Sequence, residues 1–438
     1  MTQHLTTTKS AALYERAQRS LPGGVSRNTV LRSPHPLYAA HAAGSRVTDI
    51  EGVERIDFAN NMASLIHGHA HPAIVGAVTE QLQRGSAFTL ATEVEVEHAE
   101  HICGRSDNFD QVRFVNSGTE AVMGALKAAR AFTERPKIAK IEGAYHGLYD
   151  FAEVSQTSNP SNWGDASRPE SVPVSHGTPE SVLGDVVVVP FNDADTAIAI
   201  LESHPGEIAC VLIDPMPHRV GLIPVSRSFV ERLSDWARRD GALLVFDEVI
   251  TFRTEVGGFQ ERLGVAPDLT AMGKAIGGGF PVGAIAGRRD VMQVMNPLTD
   301  KVRFPHSGTF SANPITMTAG LAAMTLYDAT SVTDLNDLTS TAIAGIEEAI
   351  GRTGAAASVT GAGSMFRIHL KPDPPTNHRT AFAEPRELAA RSALLDHLFD
   401  DGFMMVNTCT AILSTVMNTD DVDALVASVE SGLKRLDL

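Results

Sequence analysis

Cysteine is scarce in this chain: three residues in 438, Cys103, Cys210 and Cys409. Their odd number and wide spacing argue against a disulfide framework or a cysteine metal site, and fit a reducing cytoplasm. Long apolar runs are absent as well. No stretch reaches the ~18 consecutive apolar residues of a spanning helix, and the start, MTQHLTTTKS, lacks the apolar core of a secretory signal. Basic residues are the minority charge: 36 Lys plus Arg stand against 52 Asp plus Glu, for a formal net charge of −16. No basic stripe is present, so neither a nucleic-acid nor a membrane partner is expected. Any anion must be held by local donors, not by the global field.

What is there is enough apolar residue, 43%, for a large core, on a chain long enough for two or three packed units. A helix is predicted over Thr8–Arg19, ending before Leu21-Pro22-Gly23-Gly24. Glu51-Gly52 turns a hairpin between Arg46–Asp49 and Arg55–Phe58. Helices are predicted over Ala73–Gln83, Glu93–Cys103 and Thr119–Phe132. Short β-branched runs then recur at Val112–Val115, Lys137–Ile141, Val186–Val189, Ile208–Ile213 and Ala242–Phe246, with helical segments such as Phe229–Arg239 between them. That alternation predicts an α/β fold with a mostly parallel sheet, whose active site lies at the carboxyl ends of the strands. From about Asn313 the pattern changes. Helices Pro314–Tyr327 and Asp337–Arg352 lead to strands Ser364–Leu370 and Ala411–Ser414 and helices Arg386–Asp401 and Asp420–Leu436. Residues 73–312 are read as a large domain. Residues 1–72 and 313–438 together form a smaller α+β domain. Pro160–Val182, rich in Ser, Pro and Gly, reads as a surface excursion or a lid.

Four segments carry chemistry. Lys274 stands in AMGKAIGGG, where glycines let the backbone approach a ligand closely. A Walker A loop is excluded, because Asp268 and Ala275 occupy positions that need Gly and Ser/Thr. Asp247 follows a buried apolar strand, where a carboxylate needs a cationic or hydrogen-bonding partner. In FVNSGTEA, a strand ends and Ser117, Gly118 and Thr119 open a helix, a ready anion site. In EGAYHG, Tyr145 and His146 fall where a flat ring could stack. Each segment has an ordinary structural use: a loop lysine, an ion pair, an N-cap, a packed tyrosine. Together they fit pyridoxal 5′-phosphate. Lysine makes the Schiff base, the carboxylate keeps the pyridine nitrogen protonated, and the helix N-terminus holds the phosphate.

These segments, with ALLVFDEVIT, PHSGTFSANP, LPGG and GHAHP, resemble the class III aminotransferases of fold type I over nearly the whole chain. Within that class the chain is similar to glutamate-1-semialdehyde aminomutase and to transaminases of β-phenylalanine and D-phenylglycine. The resemblance implies that Lys274 forms the internal aldimine and shuttles a proton, and that Asp247 pairs with the ring nitrogen. It places Ser117, Gly118 and Thr119 on the phosphate, Tyr145, beside His146, on one ring face and Val249 on the other. Thr309 would reach the phosphate of a neighbouring subunit, so the resemblance implies a homodimer with sites at the interface. Arg27, after LPGGVS, would bind the substrate carboxylate, with Arg32 as second candidate.

Some positions depart from the class. The aminomutase arginine falls about where Val30 stands, and NMASLIH replaces a Trp-containing segment. VNTCT stands where the β-phenylalanine enzymes carry an acceptor arginine, which leaves that task to Arg27 or to another arginine such as Arg219 or Arg253, or implies an unusual acceptor. Asp214 replaces a common Glu, and His218-Arg219 are unusual. His67, His69 and His71 are read as a turn, not as metal ligands. The expected activity is amino transfer from an amino acid, of β-amino or aryl type, to a keto acid. The alternatives are an intramolecular 2,1-aminomutase, a racemase or decarboxylase of the same class, and a cofactor-binding regulatory protein.

Overall fold

A computed structural model describes residues 8–436; the MTQHLTT start lies outside them. A seven-stranded sheet organises the chain, in the spatial order Gln111–Val115, Gly283–Gly287, Leu269–Gly273, Leu243–Asp247, Ile208–Ile213, Lys137–Ile141 and Val186–Val189. All neighbours are parallel except Gly283–Gly287, which runs antiparallel to both of its partners. Strands Ile208–Ile213 and Leu243–Asp247 are buried along their whole length. Helices cover both faces of such a sheet, so its strands are continuous apolar runs without alternation. Helix Arg227–Asp240 is one cover: it buries Phe229, Val230, Leu233, Trp236 and Ala237, is capped by Ser226 and ends at Gly241.

The Gly283–Gly287 strand escapes the sequence reading. GAIAG has a single β-branched residue and looks like a loop. Its glycine has a packing reason: a Cβ at Gly283 would run into the Ser117 carbonyl. The antiparallel strand thus presses against the turn that opens the Gly118–Thr133 helix.

Residues from both chain ends meet in a four-stranded sheet. Ala39–Ala43, Arg46–Asp49 and Glu54–Asp57 form antiparallel neighbours, and Phe403–Met404 adds in parallel to Glu54–Asp57. A third sheet joins Ser358–Ala362, Met365–His369 and Thr410–Ile412. The helix expected at Asp337–Arg352 begins earlier and spans Ala329–Thr353, capped by Asp328. It shares a core with Thr419–Leu433 through Leu335, Ala342, Ile346, Val422, Leu425 and Val429. The Pro160–Val182 excursion is tied down. The Arg379 guanidinium donates to the carbonyls of Trp163, Gly164 and Asp165 and to both oxygens of Glu142.

Histidines in low-dielectric surroundings are expected to make this fold acid-sensitive. His98 stacks on Phe114 at 5.2 Å and donates from Nε2 to the Ile276 carbonyl at 3.0 Å. Burial lowers its pKa to about 4; His218 and His369 are lowered to about 3 by the same cause. A base whose folded pKa is depressed contributes stability that is full above its unfolded value and is lost as pH falls. For His98 that window runs from 6.5 down to about 4, a loss of order 3 kcal/mol. The thermal midpoint is expected to hold above pH 7 and to fall steeply below 6.5. A flat profile from pH 7 to 4.5 would contradict this.

Candidate active site

The parallel strands end at one edge of the sheet, and the chemistry collects there. Asp247 is the last residue of its strand and pairs in register with Ala271. Lys274 follows the next strand directly and opens a short 3-10 turn, Lys274–Gly277. Its φ of +49° is left-handed, a conformation a non-glycine residue keeps only when its surroundings impose it. In the same turn His98 bonds the Ile276 carbonyl, and no Cβ fits at Gly278 against the Ala319 carbonyl. Burial lowers the Lys274 amine to about 8, opposed by the carboxyls of Asp247 and Asp214. A readily neutralised amine is what a nucleophilic lysine needs.

Ser117 caps the Gly118–Thr133 helix, its hydroxyl accepting from the Glu120 N–H at 3.1 Å, while Glu120 accepts from the Asn116 N–H at 2.8 Å. This reciprocal arrangement leaves the Gly118 and Thr119 amides with no acceptor among the described residues. A Cβ at Gly118 would lie 2.8 Å from a Val249 methyl, so only glycine lets that turn close on Val249. Free amides at a helix N-terminus favour a phosphate.

The Glu142–Gly147 segment follows strand Lys137–Ile141 and brings Tyr145 and His146 to the same edge. His146 is buried. Its Nδ1 sits 2.7 Å from Asp247 Oδ2, and its Nε2 has no partner. Burial holds this imidazole below its usual pKa, so a neutral ring donates from Nδ1. The other Asp247 oxygen accepts from the Val249 N–H at 3.1 Å. A carboxylate has about four lone-pair sites, so Asp247 can still accept a protonated ring nitrogen. Asp214, just past strand Ile208–Ile213, is also buried. Burial first, and the Asp247 charge second, push its carboxyl well above the ordinary range.

One cavity of about 390 Å³ gathers Ser117, Gly118, Thr119, Tyr145, His146, Asp247, Val249 and Lys274. Asp214, Asn61 and Phe280 line it too; the sequence reading gave Asp214 only an uncertain role and passed over the other two. Arg27 does not line it, but Arg27 Nη1 donates to Asn61 Oδ1 at 2.7 Å. Asn61 is placed by four successive left-handed residues, Asn60, Asn61, Met62 and Ala63, with φ from 43° to 71°. Such a turn costs about 1–2 kcal/mol per residue. Asp57 holds it by accepting the Ala59 and Asn60 N–H groups, and Asn60 donates to the Ile412 carbonyl. Thr309 is exposed and outside the cavity lining.

Two arginine candidates are committed elsewhere. Arg32 pairs with Asp396 at 2.8 Å and lies over the Phe399 ring. Arg253 is fully buried and donates to Ser364 Oγ and to the carbonyls of Ala63 and Leu413. It ties the left-handed turn to the Ser364 and Leu413 segments and has no free face for an acceptor carboxylate. His67 bonds Thr415 and the Ala323 carbonyl, and His69 bonds Asp57. Among the described residues no group of His, Cys, Asp or Glu is arranged to hold a metal.

An aminotransferase class-III family model matches residues 29–427. The chain belongs to the class III aminotransferases. An omega-transaminase from Sphaerobacter thermophilus has the same fold at TM-score 0.96, with 46% identity over 98% of each chain. A β-phenylalanine aminotransferase from Variovorax paradoxus superposes at TM-score 0.86, with 35% identity, covering 96% of this chain and 93% of the other. A glutamate-1-semialdehyde 2,1-aminomutase of Methanothermobacter thermautotrophicus is 39% identical over 85% of this chain and 86% of its own. This class III aminotransferase is a pyridoxal-phosphate-dependent transaminase with the fold of that group. The cavity suits the cofactor: it offers two unpartnered amides, a buried carboxylate with spare acceptor capacity and a desolvated lysine.

Proposed function

We propose that the chain transfers an amino group from an amino acid, of β-amino or aryl type, to a keto acid. The observation that supports this reading is the hydrogen bond from Arg27 to Asn61, a residue that lines the lysine cavity, because a guanidinium fork tied to that lining suits a substrate carboxylate. When bound, pyridoxal 5′-phosphate supplies an aldehyde that captures amines and a ring that spreads the charge left by a departing proton. Lys274 Nζ would hold the cofactor covalently and, once the incoming substrate amine has displaced it, would accept and return the substrate proton. Asp247, oriented by His146, would pair with the ring nitrogen. The amides of Gly118 and Thr119 and the Ser117 hydroxyl hold the phosphate. Tyr145 and Val249 confine the ring, and Arg27 binds the substrate carboxylate.

A homodimer is part of this proposal, with Thr309 reaching the partner's phosphate site. Its support is a set of large apolar side chains that stand exposed: Leu298 is 91% exposed, Leu90 82% and Phe310 57%. The domain division at 72 and 312 and a cytoplasmic location are proposed on the same footing. The three cysteines are free, and burial pushes the thiols of Cys210 and Cys409 up to about 12.

An intramolecular aminomutase is the second reading, favoured by the Methanothermobacter relative. Visible absorbance of the holoprotein separates the two. Adding β-phenylalanine without keto acid is expected to convert the yellow aldehyde form to the amine form. An unchanged yellow band would remove β-phenylalanine as donor. Turnover of glutamate 1-semialdehyde with no keto acid added would shift the assignment to the aminomutase.

A further inference from the structure

Arginines buried or half-buried in this acidic chain are normally answered. Arg55 pairs with Asp49, Arg135 with Asp240 and Arg379 with Glu142, while Arg105 and Arg253 are surrounded by carbonyls. One cluster breaks the pattern. Arg367, on the Met365–His369 strand, is 6% exposed. Its Nη1 donates to the His218 carbonyl at 3.0 Å, and its buried Nε has no partner. Arg219, the next residue after His218, has no hydrogen bond or ion pair among the described residues; its guanidinium lies 4.8 Å from the Tyr145 ring centroid. Arg391 adds its positive charge to Arg367 and likewise has no carboxylate within ion-pair distance. The His218 ring meets Tyr145 edge-on at 5.6 Å, and its buried Nδ1 is unpartnered.

Among the described residues no carboxylate lies within ion-pair distance of Arg219, Arg367 or Arg391. Arg367 is buried and Arg391 half-buried, while Arg219 is exposed; a buried cation without an acid is costly unless an anion arrives from outside. Tyr145 connects the cluster to the cavity that holds Lys274 and Asp214. Arg27 stands at the cavity through Asn61, so the molecule offers a second cationic site in addition to that one.

We propose that Arg219 and Arg367 form an anion subsite for a second substrate carboxylate, which makes the preferred acceptor a dicarboxylic 2-oxo acid. This rests on the amino-transfer reading, with Arg27 taking the first carboxylate. Arg219 supplies an accessible fork. Arg367, anchored on the His218 carbonyl, fixes the segment that carries Arg219 and adds charge behind it.

Two measurements test it. In the first, 2-oxoglutarate and pyruvate are compared as acceptors for the amine form of the holoprotein. Arg219→Gln is expected to lower the 2-oxoglutarate-to-pyruvate ratio of kcat/KM by about 10- to 100-fold, through KM, the effect of losing a charge-assisted pair. Arg367→Lys, which keeps the charge, is expected to retain more of the ratio than Arg367→Gln. In the second, calorimetry follows binding of glutarate and of butyrate, neither of which reacts. Glutarate is expected to bind more tightly, and Arg219→Gln to remove the difference. An unaltered acceptor ratio and equal binding of both acids would overturn the subsite while leaving amino transfer standing. No acceptor activity, but glutarate binding that depends on Arg219, would keep the subsite and overturn the amino-transfer reading.

Discussion

Lys274→Ala is expected to lower turnover by at least about four orders of magnitude, because it removes covalent capture and proton transfer together. The variant should still take up pyridoxal phosphate through the Ser117–Thr119 turn and Asp247, but after borohydride treatment it should release the cofactor on gel filtration in denaturant, where wild type treated with the same hydride donor keeps it covalently fixed. Stability moves the other way. A buried amine lowered from 10.5 to about 8 is a base with a depressed folded pKa. The unfolded chain therefore binds more protons between those values, and apoprotein stability rises with pH across that window. Below pH 8 the wild-type apoprotein carries the full penalty of a buried ammonium. Lys274→Met apoprotein should melt higher than wild type at pH 7, with the gap closing toward pH 10.5. A variant that keeps more than about 1% of wild-type turnover would remove Lys274 from the chemistry.

Asp247→Asn is expected to cost about 10²- to 10⁴-fold in turnover with little change in fold. The amide keeps the shape and can still meet His146 and the Val249 amide, but it cannot stabilise a protonated ring nitrogen. The neighbouring acid makes the result sharper. Burial, and after it the Asp247 charge, push the Asp214 carboxyl well above the ordinary range. Once that charge is gone, Asp214 can ionise more easily and partly replace it beside Lys274, whose amine both carboxyls support. Asp214→Asn alone should therefore have a modest effect, and the same change in an Asp247→Asn background a larger one. Rate constants of the two single variants and the double variant would show this coupling. Strict additivity would mean that the two carboxyls do not share the task.

The chemistry-bearing segments were readable because their signals are local. A lysine among glycines, an acid ending an apolar strand and Ser-Gly-Thr opening a helix each depend on a few adjacent residues. The parallel strands were equally plain, since burial on both faces forces continuous apolar runs such as VVVV and IACVLI. Gly283–Gly287 was hidden because its composition answers to the Ser117 carbonyl it presses against, not to strand preference. The left-handed Asn60–Ala63 turn was hidden too. Asn tolerates that conformation, but Met and Ala adopt it here only under constraints from Asp57, Ile412 and Arg253.

The sequence by itself determined the fold class, because periodicity acts over short spans, and the cofactor, because short motifs resemble those of the class III aminotransferases. Tertiary structure alone decided which arginines are free. Arg253 looked available, but its acceptors lie 111, 160 and 190 positions away. Arg32 is taken by Asp396, 364 positions on. Arg219 and Arg367, 148 positions apart, meet only through the His218 carbonyl. A charged side chain is defined by what answers it, and across such separations only the folded chain brings the answer, or leaves it to a substrate.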